Sequence, residues 1–203
     1  MPNRQLTDSS TRLRARLREE TAAAILSAAE RVIGEEGLQS ARIELIAAYA
    51  GVSVGTIYNH FKDRTALVQA LFDSRGFRMA EQFEVALAAT AGAPAREQVR
   101  ALFEAVVLHG RQHGLLFASL VRENHGPSRI RAPAISRTAF AMSAAALVSR
   151  AIATGEFRED PSHVFPEALV GLLRQALACA IEGRGTPAEI DSMTDLFIRG
   201  VAR

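Results

Sequence analysis

Ile46-Ala47-Ala48-Tyr49-Ala50-Gly51-Val52-Ser53-Val54-Gly55-Thr56-Ile57-Tyr58-Asn59-His60-Phe61, followed by Lys62-Asp63-Arg64, is the stretch on which the fold turns. It reads as a helix, a tight turn at Gly51 and a second short helix opening at Ser53. Gly51 tolerates the positive φ that a helix C-cap needs, and the Ser53 hydroxyl can accept from the orphan backbone donors of the next helix. Two helices joined this closely cross at a steep angle, as in a helix-turn-helix, whose second helix can lie in a DNA major groove. Within that second helix Val54, Ile57 and Phe61 share one side and pack inward, which leaves Thr56, Tyr58, Asn59 and His60 for the other faces. Hydroxyls, an amide and ring donors over barely two turns suit phosphates and base edges. Plain packing hairpins carry the same pattern, so the stretch alone leaves both readings open.

Working outward, the preceding helix spans about Leu17 to Glu36, with Ile25, Ala28, Ala29, Val32 and Ile33 on one stripe and Gly37 closing it. Residues 1–18 carry Arg4, Arg12, Arg14, Arg16 and Arg18 against the acid Asp8. They read as a flexible basic arm, able to track phosphates and otherwise a solvated terminus. The middle helix runs from about Ile43 to Ala50; Arg42 before it cannot cap, and Ser40 is the nearer hydroxyl. Asp63 is placed to cap a fourth helix, with Arg64 in its first turn.

Ile46-Ala47, Gly51-Val52-Ser53, Gly55-Thr56, Tyr58, His60-Phe61 and Leu67 resemble the DNA-binding signature of the tetracycline-repressor (TetR) family of one-component regulators. The resemblance covers about residues 20 to 72 and rests on many positions that are not simply apolar. It implies a DNA contact set of Arg42, Ser53, Val54, Gly55, Thr56, Tyr58, Asn59, His60, Lys62 and Arg64. In the family, the residues matching Tyr58 and Arg64 grip the DNA backbone; a threonine usually stands at Arg42 and a lysine at Arg64. The resemblance further implies that a long fourth helix acts as a lever between the head and a ligand-binding remainder.

From Thr65 the apolar pattern continues through Leu67, Leu71, Phe77, Phe83 and Leu87 to about Thr90, and Ala91-Gly92-Ala93-Pro94 breaks it. Further helices are expected over about 95–113, 115–123, 134–154, 162–182 and 187–202. Asn124-His125-Gly126-Pro127 and Pro133 mark a loop, and Asp160-Pro161 and Thr186-Pro187-Ala188-Glu189 mark helix starts, the latter a capping box. No strand alternation competes, so the fold is all-α: an N-terminal three-helix head over residues 19–64 and a larger helical domain over 65–203 for ligand binding and dimerisation.

In the larger domain Phe103, Val106, His109 and His113 can share one face, with Phe117, Phe140 and Met142 from neighbouring segments, and together they are candidates for a ligand cavity. Each is equally an ordinary core residue. His109 and His113 have metal-pair spacing but lack a third ligand, so no metal is assigned. Phe165, Leu169, Leu172, Leu173, Ala176 and Leu177, with Ile190, Met193 and Phe197, are apolar on more than one face, and a twofold helix interface would supply the extra neighbour.

Composition bounds the function. The chain has 203 residues, 48% of them hydrophobic, a net charge of +2 and one cysteine, Cys179, so any DNA-binding charge is local and a disulfide framework is excluded. No apolar run is expected to span a bilayer and no signal-peptide core is seen, which suits a cytoplasmic protein. No nucleophile-base pair, phosphate loop or cofactor motif is present, so an enzyme is not expected. The expected function is a homodimeric regulator that binds a palindromic operator in double-stranded DNA, represses, and is released by a small-molecule effector. The alternative is a helical interaction scaffold without sequence-specific DNA binding.

Overall fold

The computed structural model describes residues 3–123 and 134–203. Among these residues the regular structure consists of eight α-helices and one isolated antiparallel bridge, Phe157 to Ala202, so the fold is all-α as expected. The loop read at Asn124 to Pro127 and at Pro133 lies outside the described residues. By packing, the chain divides into two compact units, Met1–Leu71 and Phe72–Arg203.

The first unit holds α1 (Asn3–Glu36), α2 (Ile43–Ala50), α3 (Val54–His60) and the opening turns of α4 (Arg64–Ala89). The predicted stripe of α1 is buried, from Ile25 at 0% exposure to Ala28 at 7%. Gly37, with φ 87°, ends the helix as its N–H donates to the Ile33 carbonyl. The start of α1 corrects the sequence reading. Instead of beginning at about Leu17, after the arm read over residues 1–18, the helix runs from Asn3. The stretch from Arg12 to Glu20 is arginine, leucine, alanine and glutamate without glycine or proline, so helix propagates outward from the packed segment, helped by the Arg16–Glu20 pair at 3.6 Å. On the other end of α1, the Arg31 guanidinium lies 4.5 Å from the Tyr49 ring centroid and Glu35 accepts from Arg31 Nε at 2.9 Å, bracing α1 against α2.

The second unit holds the rest of α4 with α5 (Ala95–Glu123), α6 (Ala134–Ala153), α7 (Val164–Ile181) and α8 (Pro187–Val201). The two helices expected over 95–113 and 115–123 run on as α5 with a break where they were expected to part, at His113, whose φ/ψ of −122°/15° leaves the helical region. Gly110 lets α5 and α7 touch: a Cβ there would stand 2.7 Å from the Ala180 Cβ. Phe83 and Phe140 meet edge to face at 5.1 Å within a core that includes Leu102, Phe103, Val106 and Leu147. The start of α7 is also corrected. It opens at Val164, not at Pro161, because His163 takes a left-handed φ of 53° and the Asp160 carboxylate reaches past it to accept from the N–H groups of Val164 and Phe165 at 3.0 and 2.9 Å. The expected capping box of α8 forms between Thr186 and Glu189.

The nine residues expected at a dimer interface divide into core and edge. Phe165, Leu169, Leu173, Ala176, Ile190 and Phe197 are buried in the protomer's own core, and Leu172, Leu177 and Met193 pack against its edge. Core residues cannot also be the surface that meets a second copy. Contrary to the sequence expectation, α7 is long and apolar enough to cross a bilayer. The alternation of buried Leu169 and Leu173 with exposed Glu167 and Arg174 is nonetheless that of a helix packed on a protein core.

The Glu189 carboxylate accepts from the backbone N–H groups of Thr186 and Gly185, each at 2.8 Å, and from the Thr186 hydroxyl at 3.0 Å. These bonds, the Thr186 backbone first, hold its pKa below the ordinary glutamate value. A depressed carboxylate stabilises above the unfolded pKa of ~4.3, and that contribution disappears as pH falls through the lower folded value. Glu189→Gln should therefore lower the urea midpoint near neutrality, and the gap to wild type should close below about pH 4. A gap independent of pH would show that the charge of Glu189 contributes nothing.

Candidate nucleic-acid interface

The turn between α2 and α3 is built as the residue types dictate. Gly51 sits in the left-handed region, φ 68° and ψ 30°, and the Val52 N–H donates to the Ala47 carbonyl at 3.0 Å, closing α2. Ser53 follows with extended φ/ψ, and its Oγ accepts from the Thr56 N–H at 3.0 Å, opening α3. The Ser53 and Thr56 hydroxyl oxygens are a further 2.9 Å apart.

With its start fixed, α3 can point only one way. Ile57 is 1% exposed, while Val54 and Phe61 are half-buried beside it. The opposite side presents Tyr58, 50% exposed, and Asn59 to solvent, together with Ser53 and Gly55 at the helix start. Thr56 and His60 lie half-buried on the flanks. Tyr58 is thus not the core aromatic that its residue type allows. Lys62 is exposed in the turn to α4, where the Asp63 Oδ1 accepts from the Ala66 N–H at 2.8 Å and caps that helix. Arg42, also exposed, occupies the N-cap of α2 without a side-chain cap hydrogen bond, so the cap expected from Ser40 is not made.

Arg64 stands apart from the rest. Its guanidinium folds back onto the α1–α2 turn, with Nε donating to the Ala41 carbonyl at 3.2 Å and Nη2 donating to the Leu38 carbonyl. Partners 23 and 26 residues away leave no local signal, so sequence reasoning missed them, as it missed the Arg31–Glu35–Tyr49 brace.

A family model, that of bacterial regulatory proteins of the tetR family, matches residues 25–71. The head thus matches the TetR-family DNA-binding domain. Its head is 42% identical over 62 residues to the HTH-type transcriptional repressor BepR of Brucella suis, a segment covering 30% of each chain. It is 46% identical over 56 residues to the HTH-type transcriptional regulator TtgR of Pseudomonas putida, covering 28% of this chain and 27% of that one. The match therefore spans less than a third of either relative's length. The fold reaches further: 88% of the chain superimposes on 98% of the transcriptional regulator FadR from Bacillus subtilis, solved in complex with stearoyl-CoA, with a TM-score of 0.71 and 20% identity.

In the second unit the candidate ligand residues separate. Phe103, Val106 and Phe140 are core, and Met142, 67% exposed, is corrected out of any interior lining. His109, His113 and Phe117 stack along α5 with ring centroids 4.7 and 5.7 Å apart, the fully buried His109 at the centre. Its Nδ1 lies 3.1 Å from the Gln82 Oε1, and Gln82 Nε2 donates to Gln112 Oε1 at 3.2 Å. Gln82 also lines an open groove of about 750 Å³ between α4 and α5, floored by Val85, Ala86, Ala89, Ala105 and Leu108, which sequence reasoning did not identify.

No heavy atom lies within 4 Å of a Cβ built on Gly51, so Gly51→Ala meets conformational strain and no clash. It should cost the head ~1–2 kcal/mol, the ordinary penalty of a left-handed L-residue, and Gly51→Asn should cost less. Ser53→Ala should cost ~1 kcal/mol through the lost cap. Denaturant midpoints of the variants check this; a Gly51→Ala protein as stable as wild type would contradict the left-handed turn.

Proposed function

We propose that this chain is a dimeric, ligand-responsive transcriptional regulator that inserts α3 into the DNA major groove and represses where its operator overlaps a promoter. One observation carries the reading: α3 spends Ile57 on the core and turns Tyr58 and Asn59 to solvent beside the Ser53 and Gly55 end. A scaffold without DNA binding has no use for a polar two-turn helix held this rigidly at its start. The name of the relative BepR supports repression, and the stearoyl-CoA held by FadR supports an effector in the second unit. In that role the α4–α5 groove offers a volume in the ordinary range of small-molecule sites, with Gln82 linking it to His109.

Roles divide by chemistry. The Tyr58 hydroxyl and the Arg42 and Lys62 cations suit phosphates, which position the protein without reading sequence. The Asn59 amide suits a base edge, adenine in the simplest case. Dimerisation falls to the outward side of α7 and α8, where Ala168, Gly171 and Gln175 and the 64% exposed Leu196 are accessible. Two copies related by a twofold axis would place their α3 helices on half-sites ~34–36 Å apart or a multiple of it.

Tyr58→Phe should weaken binding to all duplexes alike, by about 1 kcal/mol, whereas Asn59→Ala should change which sequence is preferred. Gel retardation over a salt series separates the two, and equal effects would overturn the division of roles. A Cβ on Gly171 meets nothing within 4 Å, so Gly171→Arg should leave the fold intact and yield a monomer at micromolar concentration by light scattering. A wild type that is itself monomeric would refute the dimer.

A further inference from the structure

We propose that Arg64 acts as a strut that sets the helix-turn-helix in place, and not as a direct grip on the DNA backbone. The guanidinium bridges two carbonyls, Leu38 O through Nη2 and Ala41 O through Nε at 3.2 Å. Both residues are buried, at 3% and 2% exposure, so their carbonyls lie where few other donors reach. The turn they form leads into α2, whose N-cap residue Arg42 supplies no side-chain cap. An uncapped helix start depends on what holds the chain just before it, and here a charged fork on α4 does so. Arg64 is itself seated by Asp63, which caps α4 at the Ala66 N–H. The chain of support runs from the α4 cap through Arg64 to the α1–α2 turn, then to α2 and, across Gly51, to α3.

The fork matters as much as the charge. Adjacent guanidinium nitrogens diverge at fixed geometry and satisfy two carbonyls at once, whereas a lysine ammonium is a point donor on a flexible stem. Lysine therefore keeps the charge that a phosphate contact needs and loses the fork that this turn uses.

The consequence for DNA rests on the regulator reading above; the packing consequence does not, and the test keeps them apart. Arg64→Lys and Arg64→Gln are made in the full chain, and amide hydrogen exchange is followed over residues 38–50 without DNA. The strut predicts about tenfold to a hundredfold faster exchange there in both variants, the range for losing hydrogen bonds from a charged donor. Wild-type exchange in Arg64→Lys would overturn it. In retardation assays across a salt series, both variants should bind about equally more weakly than wild type, and the Arg64→Gln salt slope should be unchanged. A slope lower by about 0.9 in Arg64→Gln, with full binding by Arg64→Lys, would instead make Arg64 a phosphate contact and overturn the proposal. If the wild type itself retards no DNA, the regulator reading fails, and the exchange result still decides the strut.

Discussion

A single left-handed residue governs the head. Because Gly51 turns the chain at φ 68°, α2 ends and Ser53 can open α3 two residues later, and the direction of α3 follows from that start. Ile57 then has one place to go, the core, and Tyr58 and Asn59 have the other, solvent. A β-carbon at position 51 opposes that geometry, and without it the polar face of α3 loses its fixed aim. The surrounding restraints act at helix ends: the Asp63 cap opens α4 directly behind α3, while the Arg64 bridge to Leu38 and Ala41 and the Arg31 contact with Tyr49 hold the two ends of α2, too short to hold itself by propensity.

The second unit is organised by a close approach instead of a turn. At Gly110, α5 lies near enough to α7 that a methyl group would collide with Ala180. Beside that contact α5 carries the ring stack of His109, His113 and Phe117 and kinks at His113. The buried His109, tied to Gln82, stands beside a core of Phe, Leu, Val, Ala, Met and Ile, and Gln82 also lines the α4–α5 groove, an apolar cleft with a few polar groups of the kind that fixes a ligand. That is the physical reason for proposing an effector site in this unit.

How far the chain could be read in advance depended on whether the signal was local. Gly51, Ser53, Asp63 and the Thr186–Glu189 pair act within four residues of themselves, and each does what its position suggested. The α1 stripe from Ile25 to Ile33 was legible for the same reason. What failed was longer in range or ambiguous in partner. Periodicity says that Leu169, Leu173 and Phe197 are buried, and cannot say whether against their own chain or a second copy. The basic residues ahead of Glu19 read as a solvated terminal arm, yet helix propagates from an already packed segment at little cost. In the candidate interface, the exposure of Tyr58 and Asn59 followed from the burial of Ile57, whereas the fate of Arg64 was decided by carbonyls more than twenty residues away.

The central claim is that a rigidly aimed α3 reads duplex DNA in symmetric pairs. Selection of fragments from the source genome by the purified, folded, full-length protein, followed by sequencing of what is retained, tests it most directly. The account predicts enrichment of fragments that share one palindrome, with half-sites about one helical turn or a multiple apart. Retention no better than for random fragments by folded, dimeric protein would contradict it.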